Sequence, residues 1–229
     1  MRDLVEHDID EIVLLDIHAS RDGYVIDAKM VEKLARWLRI PICVGGGITS
    51  SEDAVTLIEA GADKISLNHS MLTNPEWLAA LASKVGRQSL VWSIDCVLDS
   101  SGNLLVFDHV SGKPTRTRPE IFLQSLEVLE FVGEIHLGFV DRDGSRRGMI
   151  NGQILAGLTR RLARPVILKS GFDVDEGSVH LTELIEYVDG IAIGNWFGHV
   201  DIGPVSLKTM SAMQHYFRPT CHSECLDAI

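Results

Sequence analysis

The sequence predicts a (β/α)8 TIM barrel, and two observations carry that prediction. Short apolar runs alternate with amphipathic stretches, and the chain repeats itself once across four such units. The runs lie at 12–17, 42–44, 64–67, 90–94, 134–140, 166–168 and 191–193. Continuous Val/Ile/Leu segments of this length suit strands covered on both faces. Helical patterns fall between them at 27–39, 51–60, 74–85, 119–131, 150–163, 175–187 and 203–215. Thr49/Ser50 and Asn74-Pro75 are expected helix starts, with Pro75 in the first turn. Strands alternating with helices give a parallel sheet, and seven such units favour a barrel over an open sheet.

The repeat has an offset of about 124 residues. DEIVLLDI (10–17) parallels GEIHLGFV (133–140), IPICVGGG (40–47) parallels RPVILKSG (164–171), and ADKISLN (62–68) parallels VDGIAIG (188–194). This reads as two half-barrels. The run ending Ser93-Ile94-Asp95 then expects a mate about 124 residues earlier, before Met1. The expectation is therefore a barrel whose first strand and most of whose first helix are missing, with residues 1–9 as that helix's end. Residues 96–118 break the rhythm, and Ser100-Ser101-Gly102-Asn103 between apolar flanks predicts a β-hairpin insertion at about 97–118. Residues 1–229 are read as one domain with a C-terminal tail at about 217–229.

The composition bounds the function. The 229 residues are 45% hydrophobic and 23% charged, enough for a real core. A net charge of −11 argues against nucleic-acid binding, although a site can still be locally positive. Of the four cysteines, Cys43 and Cys96 lie in apolar runs and read as small hydrophobes; Cys221 and Cys225 flank His222 in the tail, as a metal site or a frayed end. Free cysteines, an acidic N-terminus without an apolar core and the lack of a membrane-length apolar window predict a cytoplasmic protein with no membrane partner. No spacing implies a metal or an organic cofactor.

A barrel's chemistry gathers at the carboxyl ends of its strands. Gly45-Gly46-Gly47 lets backbone amides approach a phosphate ahead of a helix start at Ser50; the alternative is a tight turn. Ser170-Gly171, the repeat partner, is a second phosphate candidate, so a substrate with phosphates at both ends fits. Asp16, Asp95 and Asp141 each close a run. They suit general acid/base work, with a divalent metal site, a helix cap or a loop ion pair as the alternatives. Gly144 and Ser145 offer donors in an Asp-Gly loop. Asn68 and Asn195 end two further strands, and His18 and His69 are candidates for the mouth or for structural hydrogen bonds.

These motifs are similar to a known family. DEIVLLDIHAS (10–20), VGGGITSSEDA (44–54), AGADKISLNHSMLTNPE (60–76), SIDC (93–96) and GEIHLGFVDRDGSRRG (133–148) resemble the cyclase subunit of imidazole glycerol phosphate synthase. The resemblance implies a ribulose-phosphate-binding barrel that pairs with a glutaminase and takes up its ammonia. It implies conversion of a bisphosphorylated formimino-ribulosyl nucleotide to imidazole glycerol phosphate and aminoimidazole carboxamide ribotide, the histidine-pathway reaction. Two aspartates transfer protons in that family; Asp95 matches one, and the other belongs to the first strand. Gly46, Gly47, Asn68, His69, Asp141, Gly144, Ser145, Ser170, Gly171, Gly194 and Asn195 stand at substrate- and phosphate-binding positions. Glu11, Lys64 and Glu134 match three of four ammonia-gate positions, and Asp63 one near the glutaminase interface; solvent-facing charge at strand starts is the alternative.

Departures from the family pattern bear on the substrate. Ser170-Gly171-Phe172 replaces Ser-Gly-Gly, Asn68-His69 replaces Asn-Thr, Thr115–Pro119 stands where the family has Asn-Thr-Gly, and Gly194-Asn195 stands where small residues are expected. Ala19-Ser20-Arg21 resembles a related branch that uses ammonia to amidinate a sugar in surface-polysaccharide synthesis. A non-catalytic truncated barrel is the third reading.

Overall fold

The computed structural model describes residues 9–124, 126–142, 150–160, 162–170 and 183–193, with the side chains at 126 and 127 outside that set. Nine strands form one sheet: β1 (Ile12–Leu15), β2 (Ile42–Gly45), β3 (Lys64–Leu67), β4 (Leu90–Leu98), β5 (Leu104–Asp108), β6 (Lys113–Pro114), β7 (Glu134–Phe139), β8 (Val166–Lys169) and β9 (Gly190–Ala192). Seven of them run parallel in the order β1-β2-β3-β4-β7-β8-β9. Neighbours in sequence are thus neighbours in space, as right-handed βα units require. The architecture is a parallel β/α barrel, nearly closed with a seam.

The seam lies at the ends of that order. Among the described residues, no strand pairs with the outer edge of β1 or of β9. Burial follows the pairing. Every residue of central β2 is buried, whereas β1 and β9 are only partly covered. Leu15 and Ile17 are exposed, the latter at 76%.

The helices are α1 (Ala19–Asp22), α2 (Ala28–Ala35), α3 (Ser51–Glu59), α4 (His69–Thr73), α5 (Leu78–Val85), α6 (Pro119–Leu123), α7 (Leu126–Glu130) and α8 (Gly152–Thr159). Asp27, Ser50 and Asn151 cap α2, α3 and α8 with side-chain oxygens. Ser50 and Asp53 form a full capping box, worth about 1 kcal/mol. Two predictions need correction. The stretch 119–131 is two short helices rather than one, and α5 starts at Leu78 rather than at Asn74-Pro75. Asn74 instead turns the chain by accepting from the Glu76 amide.

The core lies between sheet and helices. Odd and even strand positions separate cleanly. Leu90, Trp92, Ile94 and Cys96 of β4 join Ile135, Leu137 and Phe139 of β7 in that apolar layer. Trp92 packs edge-on against Phe122 of α6 at 6.1 Å between ring centres. A fully buried side chain of this class contributes about 1.5–3 kcal/mol. The intervening positions, Ser93, Asp95 and His136, are buried polar groups that line the bore.

The internal repeat is visible in the hydrogen bonds. Asp63 donates its amide to Ile42 O and accepts from Ile42 N at 2.9 Å. Asp189 does the same with Val166, at 2.8 and 2.9 Å. Each aspartate ties the start of one strand to the next, which gives Asp63 a structural task. β4 continues beyond the barrel and turns back antiparallel onto β5, with Cys96 opposite Val106 and Leu98 opposite Leu104; β6 extends this ribbon. The tail, the pattern at 203–215 and most of that at 175–187 lie outside the described residues, as do Cys221 and Cys225. Burial raises the thiol pKa of Cys43 and of Cys96. No described helix is long and apolar enough to cross a membrane.

Candidate active site and polar bore

Asp95 lies one residue before the end of the parallel pairing of β4 with β7, and only 8% of it is exposed. Room for its carboxylate comes from Gly138, its register partner on β7; a Cβ there would overlap Asp95 Oδ1. Three side chains converge on it. Asn68 Nδ2 donates to Asp95 Oδ2 at 2.7 Å. Lys169 Nζ lies 3.1 Å from Oδ1 and donates to Ser93 Oγ at 2.7 Å. His109, carried in by the hairpin, donates from Nε2 to Oδ2 at 2.9 Å. Burial alone would raise the pKa of Asp95, but Lys169 and His109 outweigh it and hold the carboxyl well below the usual carboxylate range.

A second carboxylate–imidazole pair stands beside the first. His69 Nδ1, just after β3, donates to Asp108 Oδ1 at 3.0 Å. Asp108 also accepts from the amides of Val110 and Ser111, which fixes the hairpin turn. Burial opposes its ionisation, but Ser111, Val110 and His69 together lower its pKa. The barrel thus gives a carboxylate to the hairpin's His109 and a histidine to the hairpin's Asp108. The two reciprocal pairs pin the ribbon to the mouth.

The glycine triplet has a packing reason independent of any ligand. Gly46 and Gly47 have φ of 135° and 66°, which L side chains rarely adopt. A Cβ on Gly46 would press on Asp16, and one on Gly47 would overlap the Tyr24 carbonyl. The Gly47 amide donates to Ser20 Oγ at 3.2 Å, and Asp53 accepts from the amides of Thr49 and Ser50. Asp16 organises the opening of α1 by accepting from the amides of His18 and Ala19 and from Tyr24 OH. It has the cap role that was one of its sequence readings. His18 accepts from Arg21 at the same turn.

Asp141 follows β7 beside Arg142, with its Oδ1 buried and, among the described residues, without a hydrogen-bond partner. Ser170 follows β8, 2% exposed, and its hydroxyl likewise has no hydrogen-bond partner among the described residues. Gly144, Ser145, Gly171, Gly194 and Asn195 lie outside the described residues.

At the opposite end of the bore, three charged residues meet. Lys64 Nζ donates to Glu11 Oε2 at 2.6 Å and to Glu134 Oε2 at 2.9 Å. Desolvation opposes the lysine charge, but the two carboxylates more than compensate and raise its pKa. Desolvation likewise opposes the Glu134 charge; His136 and Lys64 reverse it and lower the pKa. His136, 1% exposed, donates from Nε2 to Glu134 Oε1 at 2.8 Å, while its buried Nδ1 has no hydrogen-bond partner among the described residues. Between ring and mouth the bore carries Cys43, Gly45, Ser66 and Ser93, small or weakly polar groups where barrels commonly pack Val, Ile and Leu.

Sequence reasoning missed Lys169, His109 and His136 as site residues. His136 and Lys169 had a usable signal. Strand alternation puts His136 on the face of Glu134 and Gly138, and puts Lys169 on the bore face at a strand's carboxyl end. His109 had none, because its place depends on how the hairpin folds back.

Fold and site together define a β/α-barrel protein with its polar chemistry at the carboxyl ends of the strands, the layout of barrel enzymes. The chain belongs to the family described as "Histidine biosynthesis protein", whose profile matches residues 1–201. It is 34% identical over 216 residues to the imidazole glycerol phosphate synthase subunit HisF of Aliivibrio salmonicida (strain LFI1238), covering 91% of this chain and 82% of that one. The subunit HisF of Enterobacter sp. (strain 638) is 35% identical over 220 residues, with the same coverage. That of Aliivibrio fischeri (strain ATCC 700601 / ES114) is 39% identical over 148 residues, 62% of this chain and 57% of the relative.

Proposed function

We propose that this chain is the ammonia-using cyclase of imidazole glycerol phosphate synthesis. It would convert the bisphosphorylated formimino-ribulosyl nucleotide to imidazole glycerol phosphate and aminoimidazole carboxamide ribotide. The observation that carries the reading is one bore with a Glu11–Lys64–Glu134 ring at one end and Asp95 at the other. A charged ring admits a small polar nucleophile, and an ionised carboxylate at the mouth supports proton transfer to and from it. In this reading a glutaminase subunit docks at the ring end and delivers ammonia, and the assembly is a cytoplasmic heterodimer. Gly46, Gly47, Asn68, His69, Asp141, Gly144, Ser145, Ser170, Gly171, Gly194 and Asn195 surround the substrate and its phosphates.

The test supplies the nucleotide substrate with ammonium chloride and follows both products. Equimolar imidazole glycerol phosphate and carboxamide ribotide are expected. Absence of both products at saturating substrate and ammonium overturns the reading.

A second reading, sugar amidination by the same ammonia route, is favoured by Lys169, His69 and His109. They fill the mouth with cationic or hydrogen-bonding side chains. Conversion of an acetamido sugar to its amidine, with no turnover of the nucleotide, selects it. Failure of both assays with a folded chain selects a non-catalytic barrel.

A further inference from the structure

We infer that the bore holds a binding site for neutral ammonia just inside the charged ring, with His136 Nδ1 as its acceptor and the Ser93 hydroxyl as its donor. This deepens the ammonia-using reading above and rests on it.

His136 stands two positions after Glu134 on β7, so it shares the bore face one step farther from the ring. It is almost wholly buried, and its Nε2 donates to Glu134 Oε1 at 2.8 Å. Desolvation opposes the Glu134 charge, but His136 and Lys64 outweigh it and keep the carboxylate ionised. An ionised carboxylate can only accept, so the imidazole hydrogen sits on Nε2. In the neutral ring Nδ1 is then a lone-pair acceptor, and it has no hydrogen-bond partner among the described residues. A buried acceptor without a donor is costly, and it marks a place where a small donor belongs.

The neighbouring strand supplies the complement. Ser93 on β4 is the register partner of His136 and is itself buried. Its Oγ accepts from Lys169 Nζ at 2.7 Å. An ammonium group can only donate, so the hydroxyl keeps its own hydrogen to give. On the other flank of His136 the register partner is Ile167 of β8, which brings no polar side chain to compete.

A bare nitrogen and a hydroxyl hydrogen therefore stand on adjacent strands of the bore. Ammonia matches both: it gives a hydrogen to Nδ1 and takes the Ser93 hydrogen on its lone pair. Ammonium has no lone pair, so the hydroxyl donor turns it away. Glu134 does not hold ammonium there either, because His136 engages Oε1 and Lys64 engages Oε2. The site thus selects the nucleophilic form. No bond is made or broken in it, and ammonia leaves as it came. Beyond it, Ser93 and Lys169 lead on to Asp95 at the mouth.

The test observes the imidazole nitrogens of the 15N-labelled chain by NMR while ammonium chloride is added at fixed pH, against equal sodium chloride. The His136 signals are assigned by their loss in His136→Leu. The expected result is a bare Nδ1 whose resonance moves saturably with ammonium chloride and not with sodium chloride. An Nδ1 that does not move, as with water alone in the site, overturns the inference. So does an Nδ1 that carries a hydrogen. Should His136→Leu not fold, His136→Asn, which keeps an acceptor near the Nδ1 position, supplies the assignment. Kinetics give a second readout. His136→Leu should raise the apparent KM for ammonium about 5–10-fold, the effect of one lost hydrogen bond and a larger change than in kcat; His136→Asn should recover part of it. A wild-type ammonium KM in His136→Leu overturns the inference. A saturable Nδ1 shift in a chain that turns over no nucleotide overturns only the cyclase reading, and turnover without that shift overturns only this inference.

Discussion

Gly138 makes room for Asp95: the two are register partners on adjacent strands, and a methyl group on Gly138 would overlap the carboxylate oxygen and press on Lys169 Cε. The glycine is therefore part of the site without touching a ligand. Gly138→Ala is expected to lower stability by about 1–3 kcal/mol, the usual cost of overpacking. Turnover should fall further than stability accounts for, because the carboxylate must move. Thermal unfolding and steady-state assays of the same preparation check both.

Asp95 and Lys169 form a largely buried ion pair 3.1 Å apart. Removing one partner strands the other's charge in the bore. Asp95→Asn and Lys169→Met should each cost about 3–5 kcal/mol, and the double variant clearly less than their sum. A double-mutant cycle in urea measures the coupling, and strict additivity would contradict the pairing.

The pH dependence of stability follows from the directions of these shifts. Asp95 and Glu134 have folded pKa values below their unfolded ones. Each contributes stability that is complete above the unfolded value and is lost as pH falls through the folded one. Urea midpoints should hold near neutrality and drop in acid, from about pH 4 downward. The Asp95→Asn chain should show a shallower acid loss than wild type.

Lys64 bridges two carboxylates at the far end of the bore. Lys64→Met should cost about 1–3 kcal/mol, because Glu11 and Glu134 lose their shared donor. Adding Glu11→Gln should restore part of that loss by removing one of the facing charges. Thermal melts of the single and double variants decide it. An unaffected melting temperature would show that the ring is not held by this contact.

Much of the fold was legible because it depends on local pattern. The apolar runs mark the strands, and the half-barrel repeat reappears as matching Asp63–Ile42 and Asp189–Val166 clamps. Strand starts also placed Glu11, Lys64 and Glu134 at one end, where they meet. Other readings failed for physical reasons. The pattern at 119–131 looks continuous, yet the chain forms two short helices, since periodicity does not show where a helix breaks. Separately from those failures, the Gly46–Gly47 pair has a packing reason beside its phosphate reading, the closeness of Asp16 and Tyr24, which composition cannot show.

The sequence by itself determined the alternating strands and helices, the face each strand residue occupies and the carboxylate that follows the apolar run 90–94, because these follow from periodicities of two and about 3.6 residues. The tertiary structure alone decided what that carboxylate touches. Asn68, His109 and Lys169 are separated from Asp95 by 27, 14 and 74 positions, and only barrel curvature and the folded-back hairpin bring them together. Their mutual electrostatics set the charge of Asp95, and distance in space, which no spacing along the chain encodes, fixes that effect.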